Sequence, residues 1–218
     1  MPRLLKEPSK IDMLECYQIL HGLVEAFPIQ SYLEIGVREG ASLCCVLAKE
    51  QEITEFVLLC LTDGFHGLHY LSDKIVARIA DGFTLRNKDL RLYLFDNWSY
   101  PGSHDGHERV VNMLENGFKT HNYQIYDGDS KVTVPAFFKK HKGKVDLTFV
   151  DGDHTAEGAK ADLENVWQHS KIIVMHDLFN PEHLYLENVF IDFARKHGLP
   201  YLLLGRKAVG TGVAFNIW

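Results

Sequence analysis

The sequence predicts an α/β domain, doubly wound, with a mostly parallel seven-stranded sheet and an antiparallel terminal hairpin, and three observations predict it. Five short apolar runs, 31–36, 90–96, 123–127, 145–151 and 171–177, are rich in β-branched or aromatic residues and end on Gly or Asp. They read as buried strands. Stretches of helical periodicity lie between them, so strand and helix alternate as they do in a parallel sheet covered on both faces. Two further runs, 201–204 and 212–217, are separated only by 205–211, enough for a hairpin and too short for a helical crossover.

The elements follow in order. Residues 11–26 form an amphipathic leader helix, whose apolar face suits either capping the sheet or a homodimer contact. We divide the chain into this leader region, 1–30, and one domain over 31–218. After the first strand, 41–49 reads as a helix containing the adjacent Cys44 and Cys45. The segment 55–88 exceeds a usual helix-to-strand link and reads as an insertion, within which 56–62 followed by Asp63 also has strand character. Helices are then expected at 107–119, 133–142, 155–169 and about 183–197.

The composition narrows the function. Of 218 residues, 46% are hydrophobic and 24% charged, which excludes a disordered chain. A net charge of -6 carries no basic footprint, so neither nucleic acid nor a membrane surface is the expected partner and a small molecule is. The four cysteines show no C-x-x-C spacing and read as reduced, buried thiols. No run of 18 uncharged apolar residues occurs, and a cytoplasmic protein is expected. The unusual count is 12 His.

Ligands of open parallel sheets bind beyond the carboxyl ends of the strands. Those ends here are Glu34 with Gly36, Asp96, Asp127 with Asp129, Asp151 with Asp153 and His154, and His176 with Asp177. Such a row of acids repels phosphate and suits ribose hydroxyls, amines, a sulfonium or a divalent cation. Each aspartate alone fits a helix cap or turn equally well; the recurrence at successive strand ends is what points to a site. The first turn, LEIGVREGAS, supplies Gly36 and Gly40 for close backbone approach. It is not G-x-G-x-x-G, because Arg38 stands where that pattern has glycine, and it lacks the Lys-Ser/Thr ending of a P-loop.

The succession LEIGVREGAS, LYLFDNW, YDGDS, FVDGDHTAEGAKADLENVW and IIVMHD resembles the class I S-adenosylmethionine-dependent methyltransferases, within them the small-molecule O-methyltransferase group of macrolide-sugar methyltransferases and cephalosporin-hydroxylase-like proteins. The resemblance covers residues 31–177 and implies a Rossmann-like fold with S-adenosylmethionine as cofactor. It places Glu34, Gly36, Gly40 and Ser42 around the methionine and ribose moieties, Asp96 on the ribose hydroxyls, and Gly128, Asp129 and Ser130 beside adenine. If 55–63 is the true second strand, Asp63 takes the place of Asp96. In metal-dependent members an acid after the fourth strand and an acid pair after the fifth hold a divalent cation. The matching positions are Asp151, then His176 and Asp177, with His176 either softening a Mg²⁺ site toward Mn²⁺ or Fe²⁺ or removing a ligand from it.

His154 follows Asp151 at the D-x-x-H spacing where the sugar methyltransferases place their general base. An imidazole of pKa ~6.5 suits that task at neutral pH. Asp153 fits best as the cap of the helix that starts at Thr155. The reading is therefore transfer of a methyl group to a hydroxyl of a small molecule, a sugar or secondary metabolite. Two alternatives stand beside it: a cofactor-binding protein of this fold without transfer activity, and an NAD(P)-linked enzyme.

Overall fold

The computed structural model describes residues 8–49, 84–99, 105–205 and 209–216. They fall into two compact units, Met1–Pro28 with Val37–Asp89 and Trp98–Tyr123, and Ile29–Gly36 with Leu90–Asn97 and Gln124–Trp218.

In the first unit, α1 (Pro8–Ala26) packs on α2 (Ala41–Leu47). Cys16, Tyr17, Leu20 and Val24 of α1 are buried, as are Leu43, Cys44, Cys45, Val46 and Leu47 of α2. The described part of the leader helix thus buries its apolar side chains. Cys16, Cys44 and Cys45 are free thiols, as expected; Cys60 lies outside the described residues. Most of the insertion also lies outside them, together with Asp63, but its end is anchored here. Leu85 bridges to Ala48, and the Arg86 N–H donates to the Leu47 carbonyl at 2.8 Å while its guanidinium pairs with Glu25. The helix expected over 107–119 is split into α3 (Gly106–Asn112) and a π-helical turn, Met113–Gly117.

The second unit carries the sheet. Its strands are β1 (Ser31–Ile35), β2 (Arg91–Asp96), β3 (Tyr123–Asp127), β4 (Val145–Val150), β5 (Ser170–Met175), β6 (Tyr201–Leu204) and β7 (Thr211–Phe215). They stand in the order β3-β2-β1-β4-β5-β7-β6. β1 pairs in parallel with both β2 and β4, and β4 with β5, while β7 runs antiparallel to β5 and β6. This is the predicted doubly wound sheet with its terminal hairpin. Every residue of β1 and β4 is buried, which requires both sheet faces to be covered and explains why these strands are apolar runs rather than alternating ones.

Three helices complete this unit: α4 (Ser130–Lys140), α5 (Ala156–Val166), extended by a 3-10 turn Trp167–His169, and α6 (Tyr185–Lys196). α6 buries Leu186, Phe190, Phe193 and Ala194, the spacing of one helical face. These side chains join Leu33, Phe95, Phe137, Leu163 and Ile173 in one core, each fully buried large apolar side chain contributing about 1.5–3 kcal/mol. α4 begins three residues before the expected Thr133, because Asp129 caps it by accepting from the Lys131 N–H. Asp153 is not the cap of α5: Thr155 is, its hydroxyl accepting from the Gly158 N–H at 3.0 Å, while Asp153 closes the preceding turn by accepting from the Thr155 N–H at 2.9 Å. No helix among the described residues is long and apolar enough to cross a membrane.

Candidate active site at the carboxyl ends of the strands

The chain leaves β1 for β2 on one side and β4 for β5 on the other, so the topological switch point lies between β1 and β4. There the Asp151 N–H donates to the Ile35 carbonyl and the Gly36 N–H to the Phe95 carbonyl, both at 2.9 Å. Gly36 has φ 88°, and a Cβ on it would overlap the Asp151 carbonyl oxygen. Glycine is required because the β1 turn passes directly over the turn that presents Asp151.

Four predicted residues converge at this point. His154 Nε2 lies 3.1 Å from Asp151 Oδ1 and 3.6 Å from Asp177 Oδ2, while His176 Nδ1 lies 3.4 Å from Asp151 Oδ1 and 3.4 Å from Asp177 Oδ1. Burial by itself would raise the Asp151 pKa, but the imidazoles of His176 and His154 hold it below the usual carboxylate range. Asp177 sits at φ 62°, a left-handed conformation that aspartate tolerates but that ordinarily marks an imposed geometry. The donor atoms of Asp151, His176 and Asp177 lie within 4.8 Å of one another. Two carboxylates and an imidazole at that spacing fit a divalent cation, the imidazole favouring a first-row transition ion over Mg²⁺.

The cofactor candidates are placed as follows. Glu34, fully buried in β1, accepts from the Tyr32 hydroxyl at 2.8 Å. Asp96 ends β2, the strand hydrogen-bonded to β1, and its carbonyl accepts from the Gly128 N–H at 2.9 Å. Gly128 has φ 126°, Asp129 caps α4, and the Ser130 hydroxyl donates to Asp162 at 2.6 Å. Gly40, at φ 81°, and the buried Ser42 belong to the first unit, at the start of α2.

Residues outside the predicted set also border the cluster. The Tyr185 hydroxyl donates to the His154 carbonyl at 2.7 Å and lies 3.3 Å from His183 Nδ1, and the His183 ring centroid is 5.1 Å from that of His154. Lys131 pairs with Asp153 at 3.0 Å. The buried Asp162 lay within the quoted DGDHTAEGAKADLENVW motif, where helical periodicity alone gave it no role.

The fold thus sets this acid-imidazole cluster at the switch point of an open α/β sheet. A family model described as a methyltransferase domain matches residues 33–178, and the chain belongs to that family. No curated protein sequence matches it. Among solved structures it is similar to CalS11, a TDP-rhamnose 3'-O-methyltransferase of calicheamicin biosynthesis (19% identity, 92% of this chain and 77% of that chain, TM-score 0.57). It is likewise similar to the O-methyltransferase NovP (12% identity, 92% and 79%, TM-score 0.58). A third is the O-methyltransferase TomG from Streptomyces achromogenes, solved with S-adenosylmethionine (16% identity, 91% and 78%, TM-score 0.55). At these identities the structures establish a common fold.

Proposed function

We propose that the protein is an S-adenosylmethionine-dependent O-methyltransferase that methylates a hydroxyl of a small molecule, a sugar or secondary metabolite, with His154 as general base. The observation that carries this reading is the Asp151–His154 contact at the switch point. A carboxylate facing Nε2 requires the proton there, which leaves Nδ1 as the ring nitrogen able to accept one. Asp151 therefore orients the base and stabilises the imidazolium that forms.

The sulfonium of S-adenosylmethionine supplies an electrophilic methyl group. His154 would hold the acceptor hydroxyl for in-line transfer and take its proton on Nδ1, with S-adenosylhomocysteine as the leaving group. Glu34, Gly36 and Asp96, at the ends of β1 and β2, suit the methionine and ribose parts. Gly128, Asp129 and Ser130 suit adenine. Asp151, His176 and Asp177 would hold a divalent cation, which lowers the pKa of a bound hydroxyl. The likeness of the fold to the O-methyltransferases CalS11, NovP and TomG supports the reaction class.

The test is transfer of labelled methyl from S-adenosylmethionine to a panel of sugar nucleotides, glycosides and phenolic metabolites. The parent is expected to label at least one, and His154→Ala to fall by about 10²–10⁴-fold in turnover. A variant that methylates at the parental rate removes the base assignment.

A further inference from the structure

We propose that Asp162 is the positioning residue that locks the cofactor-side turn, residues 128–130, to the base-side turn, residues 151–154, an inference that rests on the methyltransferase reading. Asp162 is fully buried in α5. Its Oδ1 accepts from the Ser130 hydroxyl at 2.6 Å, at the first residue of α4. Its Oδ2 is buried without a hydrogen-bond partner among the described residues and lies directly beneath Gly152. A Cβ on Gly152 would stand 3.1 Å from that oxygen and 2.8 Å from Ile35 Cγ2, so the base-side turn is seated on the carboxyl group with no room for a side chain between them. The Asp153 backbone N–H adds a further favourable interaction with the same carboxylate. Outside this buried contact, Lys131 and Asp153 join the same two turns through an exposed ion pair at 3.0 Å.

The arrangement is unfavourable for folding. A fully buried carboxyl group with one well-formed hydrogen bond, from Ser130, is poorly compensated even with the Asp153 N–H favouring its charged form. Burial accordingly raises its pKa to about 6, opposed by the Ser130 hydroxyl and the Asp153 backbone N–H, while the Asp153 carboxylate adds to the rise and Lys131 opposes it. A residue that served only the core would be better replaced by a neutral one of the same shape. Asp162 instead sets the spacing between the turn assigned to adenine and the turn that carries Asp151 and His154.

Asp162→Asn keeps the shape and the acceptor for Ser130 and removes the charge. Titration calorimetry with S-adenosylhomocysteine and thermal unfolding are compared for parent and variant. The expected result is about tenfold weaker binding together with a higher Tm, since the Ser130 hydroxyl then meets a neutral amide oxygen in place of a carboxylate, a difference worth about that factor. Unchanged affinity overturns the proposal, and so does a fall in Tm that accompanies the loss of affinity, because that is the mark of a purely structural role. Should Asp162→Asn not fold, Asp162→Thr decides. Weaker binding at parental or higher Tm, with Lys131→Met altering affinity less than about twofold, supports the buried link, and parental affinity in Asp162→Thr overturns it. A parent protein that binds no S-adenosylhomocysteine contradicts the methyltransferase reading itself, and is thereby distinguished from failure of the variant alone.

Discussion

Asp146 and Asp151 stand near the two ends of β4 and live in opposite surroundings. Asp146 Oδ2 accepts from the Gln30 and Ser31 backbone N–H groups at 2.9 and 3.0 Å and from the Ser31 hydroxyl at 3.0 Å, and Oδ1 pairs with Lys171 at 2.6 Å. Burial pushes its pKa up, but Lys171 and these donors outweigh burial and leave it lowered. Among the described residues no lysine or arginine pairs with Asp151; it faces two imidazoles, and a second carboxylate lies against the same imidazoles. One end of the strand is tied down by a permanent cation and backbone donors. The other gathers two imidazoles and two carboxylates, and under the proposed function that difference separates a structural acid from a reactive one.

The sharpest way to break this contrast is at the reactive end. His154→Ala should lower turnover by about 10²–10⁴-fold and leave S-adenosylhomocysteine affinity within about twofold, measured by single-turnover kinetics and calorimetry. At the same end, Asp177→Ala should weaken Mn²⁺ binding, followed by electron paramagnetic resonance of free Mn²⁺, by more than about 100-fold, because even residues that only orient metal ligands are worth 10–100-fold. Equal Mn²⁺ affinity in parent and variant would show that the cluster is not a cation site. At the structural end, Asp146→Ala should cost about 2 kcal/mol in denaturant unfolding, through the backbone donors it leaves unmatched, while cofactor affinity stays parental.

The smallest effect is on pH dependence, where Asp146 and Asp162 act with opposite signs. The pKa of Asp146 is lowered in the folded state, so its contribution is present above the ordinary carboxylate value and is lost as pH falls toward the folded one. Asp162 is raised from 3.8 to about 6, so the folded state binds its proton more tightly and this group adds stability as pH falls from 6 to 4. The Tm difference between Asp162→Asn and parent should therefore shrink over that window. A difference independent of pH would contradict the raised pKa.

The sheet was legible because its central strands are buried on both faces and therefore appear as uninterrupted apolar runs, each closed by the Gly or Asp that the turn needs. The cluster was legible for the same reason: Asp151, His154, His176 and Asp177 follow directly on strands whose order fixes where their ends meet. What escaped was long-range. Asp162 reads in sequence as one more polar residue on α5, and only its contacts with Ser130, 32 residues away, and with Gly152 reveal a role. His183 and Tyr185 are likewise separated from His154 by β5, Tyr185 reaching it across 31 residues. The misplaced cap of α5 is a local competition: Asp153 and Thr155 both favour caps, and Asp153 was taken by the preceding turn.

The central claim is that the carboxyl edge of this sheet receives an adenosyl cofactor. Calorimetric titration of the parent protein with S-adenosylhomocysteine, with NAD as the control ligand, tests it most directly. The account predicts saturable binding at one site per chain, weakened in Asp96→Ala, and no binding of NAD. Absence of binding by S-adenosylmethionine and S-adenosylhomocysteine, or saturable binding of NAD in their place, would contradict it.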